Sequence, residues 1–287
     1  MKRIIALLLS VLLVTAICCA CGNGQKSGDK ATKETAVAAT AATADEKTTN
    51  KTEIVVFAAA SMTETLESLK KTYQASHPEI EITYNFDSSG TLKTQIEEGA
   101  VCDLFISAAQ KQMNGLEEGG YIDKDTRLDL LENKVALCVA ENSKSGIQSY
   151  ADMKAHLEAG DILMAIGNED VPVGQYTQKI FTYYGLDESA LKEKGVLTYG
   201  SNVKEVTTQI SEGTVDCGII YQTDAYSAKL KVADTATEEM CGQVIYPAAV
   251  LSKTAHAEEA KAFLTYLQTE EASEVFEGVG FTPLATK

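Results

Sequence analysis

Four strand-to-helix junctions and one strand end carry hydroxyl groups or free backbone amides in this chain. The first is Ile54-Val55-Val56-Phe57-Ala58-Ala59-Ala60-Ser61-Met62-Thr63-Glu64. Its β-branched run suits a buried parallel strand, and Ser61 with Glu64 has Ser-x-x-Glu capping spacing ahead of the helical repeat Leu66, Leu69, Tyr73. The second is Ser88-Ser89 ahead of Gly90. Val171-Pro172-Val173-Gly174 is the third, with Pro172 suited to a first helical turn. In the fourth, Gly200-Ser201-Asn202-Val203-Lys204-Glu205, Asn202 and Glu205 repeat the capping spacing. Tyr221 ends the apolar run Cys217-Gly218-Ile219-Ile220 and can add a phenolic O–H. A helix N-terminus presents unpaired N–H groups and roughly half a positive charge, so four of them supply on the order of two charges. That balances a dianion without lysine or arginine. Taken singly, Ser61 and Asn202 read as N-caps, Ser88-Ser89-Gly90 as a turn and Tyr221 as a core tyrosine; only the joint pattern points to a site.

Nucleophilic catalysis has little behind it. A hydrolase built on Ser61 or Ser89 would lack a G-x-S-x-G elbow, and His77, His156 and His256 sit in polar or helical surface contexts, His77 being expected in solvent.

The elements that would position these groups alternate. Strands are expected at 54–58, 81–86 and 103–107, with helices at 62–75, 91–98 and 109–118. A further strand at 134–140 marks a crossing. Strands at 162–166, 196–199 and 217–221 then alternate with helices at 174–184 and 203–212. A strand at 244–251 returns the chain to the first half, and helices at 256–268 and 270–277 complete it. This is an α/β pattern of two lobes, each a mostly parallel sheet flanked by helices. Residues 53–134 plus 246–287 form the first lobe and 135–245 the second, with a ligand cleft between them, beyond the carboxyl ends of the strands.

The start of the chain reads differently. Lys2 and Arg3 precede an apolar run to Ile17 and then Cys18-Cys19-Ala20-Cys21-Gly22, which has the form of an export leader over 1–20. The Ala-Cys-Gly junction makes Cys21 the expected lipidated residue, with Cys18 and Cys19 as alternatives. Residues 21–52 are low in complexity, Ala and Thr making up 13 of the 20 residues from Ala31 to Asn50, and read as a disordered tether. The formal charge of −16, about −18 without Lys2 and Arg3, argues against nucleic acid and against docking on anionic lipid. Cys102, Cys138, Cys217 and Cys241 form no C-x-x-C pair and read as buried thiols, with a disulfide left open.

Several of these motifs, in this order, resemble the molybdate-binding proteins of bacterial ABC uptake transporters. The resemblance runs from Glu53 to Pro283. It is carried by Phe57-Ala58-Ala59-Ala60-Ser61-Met62-Thr63, Phe86-Asp87-Ser88-Ser89-Gly90-Thr91-Leu92, Asp103-Leu104-Phe105-Ile106-Ser107-Ala108, Val171-Pro172-Val173-Gly174, Gly218-Ile219-Ile220-Tyr221 and Gly280-Phe281. It implies a two-lobe fold of the periplasmic-binding-protein type and a tetrahedral oxyanion ligand, molybdate or tungstate, with no further cofactor and no direct protein ligand to molybdenum. By position, Ser61 and Ser89 would give hydroxyl and amide bonds, Val173 and Val203 backbone amides, and Tyr221 its hydroxyl. Asp87 departs from what an anion site would prefer and is expected to face solvent or a donor. The implied partners are permease subunits and, through the lipid, the outer face of the cytoplasmic membrane; the implied form is a monomer without enzymatic activity. A site of donors alone would reject the proton of hydrogen phosphate. Sulfate could be excluded only by size, so sulfate and phosphate remain the alternative ligands. A regulatory domain of the same fold is disfavoured by the leader and by the lack of a DNA-binding segment.

Overall fold

Short apolar runs alternating with amphipathic segments fold, in the computed structural model, into two helix-covered sheets. Residues 51–286 are described; the leader, Cys21 and the tether as far as Asn50 lie outside them. In chain order the elements are β1 (Thr52–Ala59), a 3-10 turn (Ala60–Met62), α1 (Thr63–Ser76), β2 (Ile80–Asp87), α2 (Ser89–Glu97), β3 (Leu104–Ile106), α3 (Gln110–Glu118), a 3-10 turn (Lys124–Thr126), β4 (Leu128–Asn133) and β5 (Val135–Val139). There follow α4 (Tyr150–Ala159), β6 (Met164–Gly167), α5 (Pro172–Tyr184), α6 (Glu188–Lys194), β7 (Leu197–Gly200), α7 (Val203–Ser211), β8 (Cys217–Tyr221), α8 (Gln222–Ala228) and β9 (Lys231–Thr235). The chain closes with α9 (Glu238–Cys241), β10 (Val244–Val250), α10 (Ala257–Tyr266), α11 (Glu270–Val279) and β11 (Thr282–Pro283).

The two sheets share one design. In the first, ordered β11-β4-β10-β3-β1-β2, the strands β2, β1 and β3 are parallel, whereas β10 runs antiparallel to both β3 and β4. In the second, ordered β7-β6-β8-β5-β9, the strands β7, β6 and β8 are parallel and β5 is antiparallel to β8 and β9. The protein is thus a two-lobe α/β molecule. The chain passes from one sheet to the other at Lys134 and returns between Thr235 and Val244. Lys134 is held at the crossing: its N–H donates to Asn133 Oδ1 at 2.8 Å, and its carbonyl accepts from Gln222 N at 2.9 Å.

Each sheet starts its parallel core with the same device. Asp103, just before β3, accepts from Val55 N through Oδ2 at 2.7 Å and donates its own N–H to Val55 O. Asp216, just before β8, repeats this with Leu163, at 2.8 Å for both bonds. A carboxylate here satisfies an amide that lies just before the neighbouring strand's ladder begins.

The sequence reading passes over β4, β9, α4, α6, α8 and α9. The first is interrupted by Asp129 and Glu132. The second is a half-exposed edge strand, and α6, α8 and α9 have seven residues or fewer. In α4, alanines dilute the buried stripe of Tyr150, Met153 and Leu157. Two expectations are corrected. The segment from Pro172 is already helical, because proline at a first-turn position needs no hydrogen-bonded N–H. His77 is only partly exposed, since its ring stacks on Tyr73 with centroids 4.1 Å apart. All four cysteines from Cys102 onward are buried and free, and burial pushes the Cys138 thiol up to about 12.

Asp103 is 2% exposed and also accepts from Thr254 Oγ1, so Asp103→Ala leaves the Val55 amide and that hydroxyl unpaired. It is expected to cost about 2–4 kcal/mol of stability by denaturant unfolding, well above the figure for an exposed carboxylate.

Candidate functional site

The parallel strands β1, β2, β6, β7 and β8 end around one small cavity. Ala59, Ala60, Ser61, Asp87, Ser88, Ser89 and Ala108 line it from the first lobe, and Val171, Pro172, Val203 and Tyr221 from the second. Its empty volume is about 200 Å³, part of it open to solvent, below the usual range for sites that take drug-sized organic ligands. All four junctions singled out in the sequence contribute to its wall. Among the described residues no lysine or arginine lines it.

Each junction presents its first turn. Ser88 is the N-cap of α2, accepting from Thr91 N at 3.1 Å, which leaves Ser89 as the first helical residue. Ser89 is fully buried and its Oγ accepts from Ala108 N at 3.0 Å, so the hydroxyl proton is free to point elsewhere. Asn202 caps α7, accepting from Glu205 N at 3.1 Å, and Val203 is the first residue of that helix. Val171 caps α5. Of that turn, Val171 and Pro172 reach the cavity. Val173 is fully buried as the second residue of the helix and is not part of the wall, although helix geometry leaves its amide without an intrahelical partner. Tyr221 precedes α8; its hydroxyl is buried and has no hydrogen-bond partner. Burial holds that phenol well above its ordinary range, so it remains an O–H donor.

The capping box expected at Ser61 and Glu64 does not form. Ser61 lies in the 3-10 turn, α1 begins after Met62 without a side-chain cap, and Ser61 Oγ pairs instead with Tyr246 Oη at 2.9 Å. A buried phenol out-competes an amide that the tightened turn has moved away. Glu64 points across the cleft to Lys204, at 2.7 Å. Tyr246 and Asn133, which the sequence reading did not single out, lie directly behind the site: Asn133 Nδ2 donates to Tyr246 Oη at 3.2 Å and to Thr223 Oγ1 at 3.0 Å. The available signal was a tyrosine beside Pro247 inside an apolar strand, where the β4–β10 register shifts and re-aims the side chain.

Asp87 faces donors, as expected. Its Oδ1 accepts from Ser88 N at 2.7 Å and from Asn202 Nδ2 at 3.3 Å. The second bond joins the lobes, as does the Glu64–Lys204 pair. A third close approach is at Gly90, where a Cβ would lie 2.2 Å from Asp170 O. Lys204 is also 3.2 Å from Asp224 Oδ1, a carboxylate with no exposure at all. Burial pulls the Lys204 ammonium down, but Asp224 and Glu64 together carry it above its ordinary value. The cation beside the cavity is therefore shared by two carboxylates. His77, His156 and His256 all lie away from the cavity wall. Among the described residues no cluster of histidine, cysteine and carboxylate could hold a metal ion, and no helix is long and apolar enough to cross a membrane.

A sheet pair joined by two crossings, with helix N-termini converging between the lobes, defines a solute-binding protein. The family described as bacterial extracellular solute-binding protein matches residues 54–282, and the chain belongs to it. It is 36% identical over 81% of its length, and over 87% of the relative's, to YvgL of Bacillus subtilis, provisionally described as an ABC transporter substrate-binding lipoprotein. It is 32% identical to the molybdate-binding protein ModA of Haemophilus influenzae, covering 80% of this chain and 89% of that one. The periplasmic molybdate-binding protein of Azotobacter vinelandii shares the fold, with a TM-score of 0.70 at 21% identity over 80% of this chain and 98% of its own.

Burial raises the Asp224 carboxyl from 3.8 to about 6 against the pull of Lys204. Between about pH 4 and 6 the native state thus holds a proton that the unfolded chain has lost, and this group's contribution to stability falls as pH rises through that window. Asp224→Asn lacks the effect. Its stability relative to the parent is expected to increase from pH 4 to pH 6.5, by at most about 3 kcal/mol, in thermal unfolding at each pH.

Proposed function

We propose that this protein captures molybdate, and tungstate of nearly equal size, outside the cytoplasm and delivers it to the membrane subunits of an ABC transporter. The observation that carries this reading is the Tyr221 hydroxyl, a buried donor without a partner in the wall of a small cavity that no lysine or arginine lines. An unpaired buried donor costs roughly 1–3 kcal/mol. A ligand that presents only acceptor oxygens relieves that cost, and a tetrahedral dianion does so for several donors at once. Ser61, Ser89 and Tyr221 supply hydroxyls and Val203 a helix-start amide, while Val173, behind the wall, holds a helix-start amide without an intrahelical partner. Tungstate and molybdate meet the same donors, and hydrogen phosphate brings a proton for which the only side-chain carboxylate in the wall is Asp87, already accepting from Ser88 N and Asn202 Nδ2. Similarity to molybdate-binding proteins supports the choice of ion.

The role is binding rather than catalysis, with no resident cofactor. Cys21 is the proposed lipid attachment point, tethering a monomer to the outer face of the membrane. The contacts of Glu64 with Lys204, Asp87 with Asn202 and Gly90 with Asp170 belong to a closed arrangement. Opening about the two crossings would admit and release the ion.

Calorimetric titration with molybdate, tungstate, sulfate and phosphate separately is expected to give tight binding for the first two only; a preference for sulfate or phosphate would replace the assignment. Tyr221→Phe supplies a test of opposite signs. Removing the unpartnered hydroxyl is expected to leave the ligand-free melting temperature equal or higher while weakening molybdate binding by about 10- to 100-fold. Unchanged affinity would remove Tyr221 from the site.

A further inference from the structure

We infer that Asn133 and Tyr246 form a proton-orienting relay that fixes Ser61 as a donor toward the cavity, and that this relay sets selectivity for fully deprotonated oxyanions. The inference rests on the proposed oxyanion reading and extends it to residues that do not line the cavity. All three side chains are buried, at 3%, 0% and 4% exposure for Asn133, Tyr246 and Ser61.

The direction of each bond follows from the first. Lys134 N–H can only donate, so the Asn133 atom 2.8 Å from it is the carbonyl Oδ1. The amide nitrogen therefore faces Thr223 Oγ1 and Tyr246 Oη, at 3.0 and 3.2 Å. Tyr246 Oη accepts from Asn133, and its single proton is assigned to Ser61 Oγ, 2.9 Å away, because the neighbouring Tyr221 hydroxyl makes no hydrogen bond. Ser61 then accepts from the phenol, and its own proton is directed to the remaining side, where the cavity lies. Ser89 reaches the same state by a shorter route, accepting from Ala108 N. A backbone amide thus dictates, through two side chains, that one hydroxyl of the wall donates. A ligand oxygen that carries a proton meets a donor there instead of an acceptor.

Asn133→Asp tests the direction of the relay. Its carboxylate can accept from Lys134 N as before but must also accept from Tyr246, which reverses the phenol and draws the Ser61 proton away from the cavity. Molybdate titrated at pH 8 is expected to bind the Asn133→Asp protein at least about 100-fold more weakly than the parent. The added charge alone would also weaken binding, so the deciding comparison is the double variant Asn133→Asp/Tyr246→Phe. There the carboxylate remains but its route to Ser61 is cut. Recovery of affinity by about 10-fold or more over Asn133→Asp supports the relay, and a double variant as weak as Asn133→Asp overturns it. Tyr246→Phe alone gives a reading that does not depend on the aspartate variant folding. With no phenol to accept from, Ser61 can turn a lone pair inward, and the ratio of molybdate to phosphate affinity at pH 6, where every phosphate ion carries at least one proton, is expected to fall by about 10-fold. An unchanged ratio overturns the relay while leaving the oxyanion reading intact. A parent protein that titrates none of the four oxyanions overturns the oxyanion reading and the relay with it.

Discussion

The polarity of hydrogen bonds around a buried cavity is the constraint on which the rest of this structure depends. Hydroxyl groups can donate or accept, and a wall of undecided hydroxyls would take protonated and deprotonated guests alike. Here the key hydroxyls are already engaged by the protein: Ser89 accepts from the Ala108 amide and Ser61 is paired with Tyr246, the inferred donor. Tyr221 is left with an O–H and no partner. Such an arrangement presents oriented donors without a lysine or arginine in its lining, which is how a chain of formal charge −16 would hold the proposed anion. The field that matters at short range is that of oriented dipoles, and the acidic surface acts mainly at distances where salt screens it.

Everything else in the fold serves to bring those dipoles to one place. Parallel strands deliver helix N-termini at their carboxyl ends, and two sheets of the same strand order face each other with those ends inward. The aspartates that begin β3 and β8 fix the registers that make this possible. Asp87 and Lys204 are charged groups close to the site, and each is held by local partners. Asp87 is held by Ser88 and Asn202, and Lys204 by Glu64 and Asp224. Two of these contacts, Asp87 with Asn202 and Glu64 with Lys204, also join the lobes.

Much of this was legible in the sequence because it is local. Strand-to-helix junctions carry their signal within a few residues, so the turns holding Ser61, Ser89, Val203 and Tyr221 could be placed at the carboxyl ends of strands from period and punctuation, and the resemblance then picked out the residues. What was not legible depends on partners far along the chain. Ser61 has the spacing of a cap, and only the approach of Tyr246, 185 residues later, gives its hydroxyl another use. Glu64 likewise leaves its expected partner for Lys204, 140 residues away. Asn133 ends a strand whose charged residues hide it, and Tyr246 looked like one more apolar residue in a core strand. The bulge that turns it toward the site has no signature except Pro247. Val173 illustrates the limit from the other side: the turn was right, but which of its residues touch the cavity depends on a two-residue shift in where the helix starts.

The unequal way in which the chain is divided between the sheets has a consequence for biosynthesis. The second sheet is built from one continuous stretch, Val135 to Thr235. The first needs β10 at its centre, so β1, β2 and β3 on one side cannot be joined to β4 on the other until residues near Val250 have been made. The earlier half of the molecule therefore waits, incomplete, while the later half can finish. During that interval β3 offers an open edge, three residues long and wholly apolar, and its shortness limits what can pair with it before its own partner arrives.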